Sequence, residues 1–122
     1  MFRPIVRNIM EYLHKGEGYL LFGKVSGVAR REAEVSESNV MTLKQGQTSS
    51  NVASHPDEEE IYYVVSGEGE VTLDGKTFAT RAGSLVYIPR NCKHISRGVS
   101  KEDYVYVCVA MYFDLFSNNL KN

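Results

Sequence analysis

His55, Glu60 and His94 are the side chains of this 122-residue sequence best suited to act together chemically. Imidazole nitrogen and carboxylate oxygen are ligands of intermediate to hard character. Together they suit Fe, Mn, Ni or Zn better than copper(I) or an iron–sulfur cluster. Two histidines and a carboxylate also leave coordination positions open for a substrate or for oxygen. One divalent transition metal is therefore the expected cofactor. Each ligand also has a plainer explanation. A lone strand histidine is ordinarily a surface or hydrogen-bonded residue, and Glu58-Glu59-Glu60 is an acidic run of the kind that usually forms a solvated face. Glu60 opens an apolar run, whereas Glu58 and Glu59 are expected in the connecting turn, so Glu60 is taken as the inward member.

Other side chains carry weaker signals. Tyr62 lies two residues beyond Glu60 and so shares its face in a strand, which makes it the candidate catalytic hydroxyl. Tyr87, Tyr104 and Tyr106 are explained by the preference of aromatics for strands. Cys92 has the parity of His94, but a small buried thiol is the common state of cysteine, and Cys108 reads as core. Met41 and Met111 read as packing. His14 is expected to be exposed, and Arg31 to lie on the surface.

Ligands this far apart in the chain need strands to bring them together. After a turn or two of helix expected within Ile5 to His14, stopped by Gly16 and Gly18, the sequence alternates short apolar runs with turn residues. Strands are expected at Gly18–Gly23, Asn39–Lys44, Asn51–His55, Glu59–Ser66, Glu70–Leu73, Thr77–Thr80, Ser84–Ile88, Lys93–Ser96 and Asp103–Phe113. Asp74-Gly75 between two alternating runs is the preferred pair for a two-residue hairpin. Many short strands at regular spacing indicate a sandwich or barrel, and a curled sheet is what lets three strands present ligands to one point. Tyr104 to Phe113 is apolar on both faces, so its outer face should meet a second sheet or a second subunit.

Composition narrows the class. A chain of 122 residues has room for one domain, with a barrel core of about 18–113 and peripheral segments 1–17 and 114–122. Fourteen Lys and Arg against fifteen Asp and Glu give a net charge of -1, which disfavours a nucleic-acid partner. No apolar stretch approaches bilayer length, and no signal-peptide pattern opens the chain. Two cysteines without CxxC spacing do not make a disulfide framework. A cytoplasmic protein with reduced thiols and no membrane partner is expected.

Two segments resemble the paired motifs of the cupin family. His55-Pro-Asp-Glu-Glu-Glu60-Ile-Tyr-Tyr-Val-Val-Ser-Gly67 is similar to the first motif from its second histidine onward, with four residues between His55 and Glu60 and six between Glu60 and Gly67. Gly83-Ser-Leu-Val-Tyr-Ile-Pro89-Arg-Asn-Cys-Lys-His94 is similar to the second, with five residues from Gly83 to Pro89 and four from Pro89 to His94. Fifteen residues separate Gly67 from Gly83. The resemblance runs from about Asn39 to about Phe113. It implies an all-β, double-stranded β-helix (jelly-roll) barrel, commonly dimeric. It also implies metal chemistry of dioxygenase, decarboxylase, isomerase or lyase type on a small polar or acidic molecule. The departures are specific: Ala53 stands where the first motif has its first histidine, which leaves three ligands. Asn91, Ser84 and Gly98 depart only at turns. A binding or sensing barrel with a degraded metal site is the competing expectation.

Overall fold

The computed structural model describes residues 2–13, 18–23 and 32–112. Eight strands follow a single 3-10 turn at Ile9–Glu11: β1 (Gly18–Phe22), β2 (Ser36–Leu43), β3 (Glu58–Ser66), β4 (Glu68–Leu73), β5 (Lys76–Arg81), β6 (Leu85–Ile88), β7 (His94–Gly98) and β8 (Tyr104–Tyr112). They form two antiparallel sheets, ordered β1-β2-β8-β3-β6 and β5-β4-β7, which face each other as a jelly-roll barrel. Among the described residues no helix is long and apolar enough to cross a membrane.

Local chemistry sets the connections. Asp74 and Gly75 both take positive φ, 47° and 84°, so the β4–β5 hairpin closes on Leu73 and Lys76 as expected. Asn91 also sits at positive φ, 66°, the conformation that asparagine tolerates better than most residues. At Gly67, φ is 73° and a Cβ would lie 2.3 Å from the Asp103 carbonyl oxygen, so only glycine fits between β3 and β4.

Period-2 alternation selects the interior. Tyr62 and Val64 of β3, Val71 of β4, Val86 and Ile88 of β6, and Tyr104, Tyr106 and Cys108 of β8 form one buried cluster between the sheets. The tyrosine hydroxyls are satisfied inside it: Tyr106 bonds Ser96 Oγ at 2.6 Å and Tyr104 bonds Thr80 Oγ1 at 2.6 Å. A second cluster lies outside the five-stranded sheet, where Ile9, Tyr12 and Leu13 pack over Leu21, Val40 and Val105. Arg7 fixes this N-terminal segment, pairing with Glu32 at 2.6 Å and donating to the Leu21 carbonyl at 2.9 Å.

Three expectations need correction. The turn or two of helix expected within Ile5 to His14 is a single 3-10 turn, Ile9–Glu11, capped by the Asn8 side chain. The strand expected at Asn51–His55 is reduced to a single bridge, Ala53 with His94, in an irregular stretch that also bridges Thr48 to Arg97. Pro56 has no N–H to continue a ladder there. The outer face of β8 is covered at Val105 by the chain's own N-terminal segment, while Val109 and Met111 are exposed, so Met111 does not pack in a core. His14, Arg31, Phe113 and the tail 114–122 lie outside the described residues.

Candidate metal centre

His55, Glu60 and His94 come together as their spacing implies. Each offers one ligand atom, and these atoms lie within 4.8 Å of one another. His94 opens β7 and is locked by two backbone bonds to Ala53, 2.9 and 2.8 Å long. Glu60 sits on the inward face of β3, opposite Ala110 of β8 and Ile88 of β6. His55 precedes Pro56, and its carbonyl accepts from the Asn91 amide at 2.8 Å, which ties the two motif segments together. The three side chains are 37%, 12% and 7% exposed for His55, Glu60 and His94, so the cluster sits at the barrel's rim with His55 as its open side.

The donor atoms face one another. His94 Nδ1 lies 2.9 Å from the Cys92 carbonyl oxygen, which can only accept, so Nδ1 carries the ring proton. Neutral His94 then turns an Nε2 lone pair toward Glu60 Oε1, 3.0 Å away. His55 Nε2 approaches the same oxygen at 3.8 Å. Glu60 Oε1 is shut off from solvent and has no hydrogen bond of good geometry. Lone pairs converging on a buried carboxylate oxygen require a cation between them, either a proton or a metal ion. Neutral imidazole nitrogens and an ionised carboxylate are the protonation states in which these groups bind divalent metals, so the residues fit the ion that the sequence implies.

Proton affinities follow the same geometry. Burial alone would lower His94, but Glu60 and the Cys92 carbonyl outweigh it, and its pKa is raised. Burial would raise Glu60, but His94, the Cys108 thiol and His55 together bring it below the ordinary carboxylate range.

Supporting groups surround the cluster. Cys108 Sγ donates to Glu60 Oε2 at 3.0 Å, leaving Oε1 to the histidines. Glu58 is buried, and its Oε1 lies 3.2 Å from His55 Nδ1. The placement of Glu58 in the connecting turn is thus corrected: β3 begins at Glu58, which pairs with Tyr112 and shares the inward face with Glu60. Parity with Glu60 was the signal for this residue. Tyr62 is one pleat deeper than Glu60; its ring stacks on Tyr106 at 4.4 Å, and burial holds its proton far above the ordinary phenol range. Cys92 is buried against the same core, its pKa raised by burial. Ala53, paired directly with His94, puts a methyl on the His94 face where a fourth imidazole would stand.

The family model described as Cupin domain matches residues 39–110. A polyketide synthase, CurC, from Streptomyces cyaneus is 47% identical over 49 residues, 40% of this chain and 32% of that protein. The Methanocaldococcus jannaschii protein MJ1618 is 33% identical over 54 residues, 44% of this chain and 43% of its own length. The chain therefore spans less than half the length of these curated relatives. A double-stranded β-helix protein from Klebsiella pneumoniae superposes with a TM-score of 0.74 at 19% identity, over 93% of this chain and 94% of that one. The last likeness is one of fold alone.

Proposed function

Because the chain belongs to the cupin domain family, matched through most of its barrel, we propose that it is a divalent-metal protein acting on a small polar or acidic molecule at the rim of the barrel. The observation that carries this reading is the convergence of His55 Nε2 and His94 Nε2 on the unsatisfied, buried Oε1 of Glu60. A divalent ion held there, whether Fe, Mn, Ni or Zn, supplies Lewis-acid polarisation of an oxygen on the bound molecule. The chain's own residues do the rest. His94 and Glu60 form the closed inner wall, held by the Cys92 carbonyl and the Cys108 thiol. His55 forms the open side, so a ligand approaches past its ring. Tyr62 serves as a neutral hydrogen-bond donor behind the site, because burial prevents its ionisation.

Elemental analysis of protein purified without chelator tests the reading. Near-stoichiometric transition metal, lost in His94→Ala, is the expected result. Metal-free protein that takes up none of the four ions would refute it. Ala53 favours a second reading, a non-catalytic barrel that binds or senses a small ligand with a weakened metal site. That reading predicts low metal content and a His94→Ala variant that behaves like the parent.

The proposal extends to assembly and location. Ile61, Tyr63 and Val65 of β3, Leu85 and Tyr87 of β6, and Val109 and Met111 of β8 are all exposed on the outer sheet face. The register joins them, with Ile61 between Tyr87 and Val109, and Tyr63 beside Leu85. Contiguous apolar surface of this kind marks an association site, here assigned to a second copy in a homodimer. Two free, buried cysteines suit a reducing compartment, the cytoplasm.

A further inference from the structure

The geometry points to Glu58 as a positioning residue that fixes the ring and the proton of His55, a role that rests on the metal reading of His55, Glu60 and His94. Two of the three ligands are anchored by other groups. His94 is held through Nδ1 by the Cys92 carbonyl, and Glu60 through Oε2 by the Cys108 thiol. His55 is the most exposed of the three, and the contact that orders its ring is Glu58 Oε1, 3.2 Å from Nδ1. With the ring proton on Nδ1, the nitrogen beside that carboxylate, the Nε2 lone pair is left on the side of Glu60 Oε1, 3.8 Å away.

Glu58 is itself secured. It is buried at the start of β3, where it pairs with Tyr112, whose hydroxyl donates to Glu37 Oε1 at 3.1 Å. The chain of contacts thus runs from β2 through β8 and β3 to the exposed ligand. A carboxylate on the far nitrogen of a ligating imidazole sets its tautomer and raises its basicity. The need for it follows from Ala53. With a methyl in place of a fourth imidazole beside His94, affinity depends on three ligands, and the loosest of them gains most from being held.

The test measures Zn²⁺ affinity of the full chain by competition with a chromogenic chelator, for the parent, Glu58→Gln and Glu59→Gln. Glutamine keeps the size of the side chain and removes its charge. Glu58→Gln is expected to bind about 10- to 100-fold more weakly, and Glu59→Gln to match the parent. Nitrogen–proton correlation spectra of the zinc-loaded rings supply a readout that a merely structural role would not move. His55 should show one tautomer, protonated on Nδ1, in the parent and lose that definition in Glu58→Gln. Parent-like affinity and tautomer in Glu58→Gln overturn the inference and leave the metal centre standing. Failure of the parent to bind Zn²⁺, Fe²⁺, Mn²⁺ or Ni²⁺ overturns the centre itself. Should Glu58→Gln not fold, Glu58→Asp carries the test, because the shorter side chain draws the carboxylate away from His55 Nδ1: weakened zinc binding supports the inference, and unchanged binding overturns it.

Discussion

The buried oxygen of Glu60 decides the chemistry of single residues. It calls for a cation, and at the proposed centre a proton on His94 would compete with a metal for the place. The sign of the pH dependence follows. His94 has a folded pKa raised above its ordinary 6.5, so its contribution to metal-free stability is complete below that value and fades as pH rises through the raised pKa. Glu60 has a folded pKa below its ordinary 4.5, so its contribution is present above that value and is lost as pH falls through the lowered pKa. The metal-free pair therefore stabilises best between these limits. Bound metal adds most above them, once His94 gives up its proton. The difference in Tm with and without saturating Zn²⁺ is expected to grow steadily from about pH 5.5 to about pH 8; a flat profile would remove His94 from the ligand set. Ala53 supplies the complementary residue-scale prediction. Placed in a hydrogen-bonded pair with His94, Ala53→His should add a fourth ligand and tighten Zn²⁺ binding by about tenfold or more, roughly 1.4 kcal/mol. Titration showing no gain would mean that position 53 does not face the ion.

At the scale of elements, the turns hold the ligand strands in register. Gly67 is the sharpest case, because its positive φ and its 2.3 Å approach to the Asp103 carbonyl exclude any side chain. Gly67→Ala should cost about 2–4 kcal/mol, read from denaturant unfolding, with metal affinity of the folded fraction falling as β3 shifts. A loss below about 0.5 kcal/mol would show that the turn relaxes freely. The elements also explain what could be read in advance. His55, Glu60 and His94 were legible because their spacing matches the paired cupin motifs, and Asp74-Gly75 because its backbone angles admit few residues. Glu58 was hidden by a boundary: whether β3 starts at Glu58 or Glu59 is settled by pairing with Tyr112, some fifty positions away in the chain. The Cys108–Glu60 contact was hidden for the same reason, since it is diagonal across the β3–β8 register. The bridge at Ala53 was overread as a strand because Asn51–His55 alternates in sequence while Pro56 interrupts its ladder.

For the whole molecule, the doubly apolar β8 raised the question of what covers the barrel's outside. Half of the answer is internal: the segment around Ile9, Tyr12 and Leu13, clasped by Arg7 and Glu32, covers Val105. The other half is the open face of β8, β3 and β6, and it yields the assembly prediction. Light scattering after gel filtration should give a dimer for the parent and a monomer for Tyr63→Lys combined with Leu85→Lys. A parent that remains monomeric at high concentration would reject the interface.

The tyrosines that fill the barrel have a consequence for what such a centre can reach. Tyr62, Tyr104 and Tyr106 are buried and fill the space between the sheets beneath Glu60, with the Tyr104 and Tyr106 hydroxyls bonded to Thr80 and Ser96. On the proposed reading, a molecule would be met at the threshold formed by these rings. On that reading, the end it presents to the ion would have to project inward while the remainder stays outside, which would limit the shape of that protruding end and much less the bulk of whatever carries it.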